Sequence, residues 1–119
     1  MPARADESYP KKHRLRTRPE YLRVQRRGRR VKGKYLVVIR LPNQAGHSRF
    51  GLVVSRKVGN AVTRNRVKRW LREIVRRLDR HDPVDLVVIA RSQAASAGLS
   101  ALRLDVQTAV GSFARGTSV

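Results

Sequence analysis

The chain has 119 residues, with 28 Lys and Arg against 8 Asp and Glu, a net charge of +20 and no cysteine. That length suits one domain with a modest core, and the missing thiols exclude disulfides and zinc–thiolate sites and fit a reducing cytoplasm. The charge makes nucleic acid the first partner to consider, while no aliphatic run, residues 36–39 included, is long enough to span a bilayer.

Residues 1–16 are poor in apolar side chains and are expected to form a disordered basic tail, with the run KKHRLRTR at 11–18. A solvated tail and a direct phosphate contact are both open readings of it. The N-terminal stretch has no apolar h-region, so no signal peptide is expected. Residues 17–114 are expected to form a single RNA-binding domain, and 115–119 to fray. Pro19 and Glu20 suit a first helical turn, with Thr17 or Arg18 just outside, and Gly28 ends that helix after Arg27. Tyr21 and Val24 share one side of it while Arg23, Arg26 and Arg27 face away. It is a short helix that must lean on a sheet.

Residues 29–34 read as a basic, glycine-containing connection. Residues 35–41 are rich in β-branched side chains and read as a strand that Pro42-Asn43 ends, and 49–55 read as the next strand. The loop between them predicts an antiparallel hairpin. In the second strand Phe50, Leu52 and Val54 alternate with Gly51, Val53 and Ser55, leaving one face shallow. Gly51 either admits a strand of RNA there or lets a helix approach.

Residues 55–80 organise the rest. Asn60 is a good N-cap after the Val58-Gly59 turn. Beyond it Val67, Trp70, Leu71, Ile74, Val75 and Leu78 recur at the spacing of a core-facing helical stripe. Asn65, Arg69, Arg72, Arg76 and Arg80 fall in one row on the other side, with Arg66, Lys68 and Arg77 on its shoulders and Arg64 in the first turn. Glu73 and Asp79 cannot neutralise that row, which predicts an external polyanion as partner. Cations in the first turn also oppose the helix macrodipole, a cost that a bound phosphate would offset.

After His81-Asp82-Pro83, residues 84–90 read as a buried strand, so strand, arginine-rich helix and strand form a βαβ crossover. Residues 92–98 are small and polar. From Leu99, Leu102, Val106, Val110 and Phe113 continue a helical stripe whose polar face carries only Arg103 and Asp105, and that helix is assigned to packing. The expected fold class is α+β, an α/β sandwich: a small, mainly antiparallel sheet with helices packed on it, in the order α-β-β-(β)-α-β-α.

No catalytic constellation is visible. The acids are scattered, and Asp79, Asp82 and Asp85, the closest in sequence, read as complements to neighbouring arginines and not as a metal cluster. His13, His47 and His81 sit in a tail, a loop and a helix terminus and read as surface residues. There is no phosphate-binding glycine loop or dinucleotide fingerprint. A membrane-surface helix would need an exposed apolar face, but the apolar faces here are required for a core. A helix-turn-helix reader of duplex DNA would need more Asn or Gln on its arginine-dense rows, which look like phosphate binding.

The run SRKVGNAVTRNRVKRWLRE at 55–73, with its Arg64-Asn65-Arg66 core, resembles the RNR signature of the bacterial ribonuclease P protein component, and the likeness covers about residues 15–113. The resemblance implies a left-handed crossover, where general statistics favour the right-handed form. It implies the protein subunit of a cytoplasmic ribonucleoprotein endonuclease that removes the 5′ leader from precursor tRNA. In that family the RNA subunit performs the cleavage with Mg2+ held mainly by RNA, so the protein alone is expected to be inactive. The implied partners are the catalytic RNA and the precursor tRNA 5′ leader, with no protein partner required, no membrane and no cofactor or metal on protein side chains. On the matching positions, Arg64, Asn65, Arg66, Lys68, Arg69 and Arg72 would meet the catalytic RNA. Arg76 and Arg80 join them only through the helical row. Tyr21, Val24, Arg56, Lys57 and Asn60 would line a cleft for the leader, with Tyr21 offering a face for base stacking and Gln25 replacing a second aromatic common in the family. The competing reading is a basic ribosomal-type structural protein of similar architecture.

Overall fold

Two of the three helices among the described residues begin where a side chain is available to cap them. In a computed structural model, which describes residues 13–78 and 83–114, α1 (Arg18–Arg27) opens on a capping box at Thr17. The Glu20 carboxylate accepts the Thr17 amide at 2.9 Å and the Arg16 amide at 2.7 Å, while the Thr17 hydroxyl oxygen accepts the Glu20 amide. For α2 (Ala61–Arg76) the Asn60 side chain accepts the Thr63 amide at 2.9 Å. This helix is shorter than the sequence predicts: Arg77 caps it, and Asp79, Arg80, His81 and Asp82 lie outside the described residues, as do residues 1–12 of the expected tail and 115–119.

The strands are β1 (Arg29–Lys32), β2 (Leu36–Pro42), β3 (Arg49–Val53) and β4 (Val84–Ala90), forming one sheet in the order β1-β2-β4-β3. β1 corrects the expectation of a connection at 29–34, because Arg29 to Lys32 pair antiparallel with β2. The expected β2–β3 hairpin is also overturned: β4 lies between them, antiparallel to β2 and parallel to β3. The physical reason lies in β4, whose VDLVVIA side chains are mostly buried on both faces and so demand a central place. The loop from β2 to β3 crosses the start of β4, where Asp85 holds both of its ends. The Asp85 carboxylate accepts the Asn43 side-chain amide at 2.7 Å and two Arg49 nitrogens at 2.8 Å each. The crossover from β3 through α2 to β4 stands as the sequence predicts.

The sheet separates two apolar layers. On one face α2 and α3 (Ala94–Ala114) bury Val67, Leu71, Ile74, Val75, Leu102, Val106 and Phe113 against Leu36, Val38, Phe50, Leu86 and Val88. Each such fully buried side chain contributes on the order of 2 kcal/mol. On the other face α1 and Leu15 cover Ile39 and Val87. Residues 13–16 are therefore not all tail: Leu15 is buried, and its amide donates to the Phe50 carbonyl at 2.8 Å along the outer edge of β3. α3 starts earlier than expected because 94–97 already form a turn, broken from the main helix at Gly98, whose φ of 82° suits glycine. α3 is tied to the sheet by Asp105, whose carboxylate accepts the amides of Lys34, Tyr35 and Leu36 at 3.2, 2.9 and 2.9 Å.

Candidate nucleic-acid interface

α2 presents two unlike sides, and the structure sorts the expected RNA contacts between them. Val67, Leu71, Ile74 and Val75 face the core, so Asn65, Arg66, Arg69 and Arg72 are left exposed. Trp70, expected in the core stripe, sits at its margin, half-buried, with the Arg66 guanidinium 5.7 Å from its ring centroid. Lys68 is half-buried, and so is Arg64, whose Nε is enclosed without a hydrogen-bond partner among the described residues. A buried donor left unmatched costs free energy that an arriving acceptor recovers. No acid lies in the first turn of α2.

Glu73 is the acid on this helix, and it is already engaged. Its carboxylate takes Arg76 at 2.7 Å and Arg77 at 2.6 Å, and these guanidinium hydrogen bonds hold it below the usual carboxylate range. Arg76, expected among the RNA-facing residues, is half-buried and paired with Glu73. The three-residue spacing from Glu73 was the available signal. No carboxylate among the described residues forms an ion pair with Arg64, Arg66, Lys68, Arg69 or Arg72.

The second candidate surface lies on the opposite face of the sheet, beside α1. Gly51 sets it: a Cβ there would stand 2.5 Å from Tyr21 Cε1 and 3.0 Å from Leu15 Cδ1, so glycine lets the ring rest on the strand. Of the two readings of Gly51, close helix approach is the one realised. Hydrogen bonding by the Leu52 backbone acts to lower the pKa of the Tyr21 phenol. Burial nonetheless pushes the phenol above its ordinary pKa. Val24 is fully buried over Ile39 and Val87, which removes it from the expected leader contacts and makes it the pin of α1.

Past Tyr21 the sheet is only partly covered. Lys32, Val37, Ile89 and Val53 are successive register partners across all four strands, and the three apolar members are half-buried. This apolar row was missed because its members become neighbours only through pairing of distant strands. The turn after β3 carries Arg56, Lys57 and Asn60, all exposed, with Asn60 also serving as the α2 cap. A cation stands at each end of the row: Lys32 on β1, and Arg56 and Lys57 just beyond Val53. The arrangement suits a strand that is apolar on its base side and anionic on its backbone.

Around this surface the ionisable groups are committed to structure. Arg49 bridges Asp85, which is 1 % exposed, to Glu20 at 3.2 Å. Hydrogen bonding to Asp85 raises the Arg49 pKa, and the amides of Arg16 and Thr17 lower that of Glu20. The His13 ring lies 5.3 Å from that of His47, with His13 Nδ1 2.9 Å from the Ser48 carbonyl oxygen. Among the described residues no group of three or more His, Asp or Glu could hold a metal ion, and no helix is long and apolar enough to cross a membrane.

A family model described as Ribonuclease P matches residues 9–114. A protein described as the ribonuclease P protein component of Desulfatibacillum aliphaticivorans is 48% identical over 87 residues, 71% of this chain and 73% of that one. The corresponding Kocuria rhizophila protein is 42% identical over 108 residues, 89% of this chain and 96% of that one. Among solved structures, the RNase P protein of Staphylococcus aureus superposes with a TM-score of 0.73 at 29% identity, covering 83% of this chain and 93% of that one. That of Thermotoga maritima gives 0.70 at 34% identity, covering 80% and 92%.

Proposed function

This chain belongs to the bacterial ribonuclease P protein family, and from that premise we propose that the face of α2 carrying Arg64, Asn65, Arg66, Lys68, Arg69 and Arg72 docks on the catalytic RNA while the surface beside α1 holds the 5′ leader of precursor tRNA. The single observation that carries this reading is the set of α2 cations with no carboxylate paired to them among the described residues. Such a face is costly in isolation and is stabilised by phosphate, whose condensed counterions are released on binding. Membership of the family sets aside the ribosomal and duplex-DNA readings.

Tyr21, its ring set on Gly51, is the stacking group for an unpaired leader base. Lys32, Arg56, Lys57 and Asn60 flank the row of Val37, Ile89 and Val53 along which the strand runs. Tyr21 stacking is worth about 1–3 kcal/mol. The chemistry belongs to the RNA subunit and the Mg2+ it binds, and the protein alone cleaves nothing. Placement of the protein in the cytoplasm follows from that assembly. The test is the affinity of the reconstituted holoenzyme for precursor and for mature tRNA. Tighter binding of the precursor, reduced by Tyr21→Ala, supports the leader site, whereas equal affinity for both tRNAs overturns it.

A further inference from the structure

Between the C-terminal half of α2 and α3 lies a groove of about 500 Å³, lined by Ile74, Arg77, Leu78, Arg103 and Gln107. That volume falls in the range of small-molecule pockets, about 300–1,000 Å³. Arg103 is the single cation within α3, a helix otherwise almost free of charge. The neighbouring acid, Asp105, is turned to the amides of Lys34, Tyr35 and Leu36, and no carboxylate among the described residues pairs with Arg103. Across the groove Arg77 gives its Nε to Glu73, and its terminal nitrogens have no carboxylate partner among the described residues. Two guanidiniums, one from the cap of α2 and one from α3, thus line the groove together with Leu78 and Ile74.

We propose that this groove is a second contact for the catalytic RNA, taking one unpaired nucleotide with its base against Leu78 and its phosphate between Arg77 and Arg103. The inference rests on the reading of α2 as the RNA-docking helix, and it brings α3 into the interface. Charge complementarity selects the occupant: the two guanidiniums bind a phosphate bidentately, and a base covers Leu78 and Ile74. Gln107 at the rim has both a donor and an acceptor for a base edge.

Because the chain has no cysteine, Gln107→Cys creates a unique thiol for a photoactivatable aryl azide in the holoenzyme reconstituted with a bacterial ribonuclease P RNA and precursor tRNA. The expected result is a cross-link to unpaired nucleotides of the catalytic RNA. Arg103→Gln, measured separately, is expected to weaken binding of that RNA about fivefold and to flatten the salt dependence by about one unit of slope. It should melt at the wild-type temperature, because α3 is held by Leu102, Val106, Ala109 and Phe113. A cross-link to precursor tRNA alone, no cross-link, or an Arg103→Gln protein that keeps wild-type affinity and slope overturns the proposal. Asn65→Cys carries the same probe as a control. If it cross-links and Gln107→Cys does not, only the groove assignment fails; if neither does, the docking role of α2 fails with it.

Discussion

Gly51→Ala tests the link between packing and the leader site. The added Cβ would lie 2.5 Å from Tyr21 Cε1 and 2.8 Å from Cζ, against about 3.5–4.0 Å for an ordinary carbon–carbon contact. The ring must retreat by roughly 1 Å, loosening its bond to the Leu52 backbone and lifting the start of α1; overpacking of this kind costs about 1–3 kcal/mol. Thermal unfolding by circular dichroism should show a drop of roughly 4–15 °C. In the holoenzyme the preference for precursor over mature tRNA should fall at least about fivefold, within the 1–3 kcal/mol of a lost stack. Affinity for the catalytic RNA should not change, since α2 lies on the other face of the sheet. A double-mutant cycle with Tyr21→Ala isolates the cause: once the ring is gone, Gly51→Ala should cost little further stability. Fully additive losses, or intact leader preference with a displaced ring, would break the link between Gly51 and the leader site.

Three other perturbations probe separate parts of the structure. Arg64→Ala with Arg66→Ala should lower RNA affinity and flatten its salt dependence by roughly two units while the circular-dichroism spectrum is kept; loss of the spectrum would instead make these residues structural. Asp105→Ala removes the acceptor of three backbone amides and should destabilise by about 2–4 kcal/mol in urea titration, with Asp105→Asn recovering part of it. The Glu20 carboxyl sits below its ordinary pKa because the folded chain favours the charged form. Its contribution is therefore complete above the ordinary carboxylate range and is lost as pH falls through the folded value. Melting temperature should fall below about pH 4.3, and Glu20→Gln should be less stable at neutral pH with a shallower acid decline.

Local chemistry was legible in the sequence and long-range partnership was not. Thr17, Asn60 and Gly28 mark helix ends through bonds to residues a few positions away, and the two sides of α2 follow from periodicity alone. β1 escaped notice because RRVK has one buried residue, as an edge strand can. The place of β4 between β2 and β3 brings Asp85 to Asn43 and Arg49. No spacing rule reveals a contact across some forty positions. Gly51 was visible as a shallow place in a strand, but only the structure shows Tyr21 filling it. The row of Lys32, Val37, Ile89 and Val53 exists only once four strands are in register. Val24 and Arg76 were assigned to RNA by position; burial removes the first and Glu73 occupies the second.

The most direct measurement is cleavage of precursor tRNA at low magnesium by a bacterial ribonuclease P RNA, with and without this protein. The proposed docking role of α2 predicts little cleavage by the RNA alone, none by the protein alone, and strong stimulation when they are combined, lost when Arg64, Arg66, Arg69 and Arg72 are changed together to alanine. Cleavage by the protein alone, or undiminished stimulation by that quadruple variant, would contradict it.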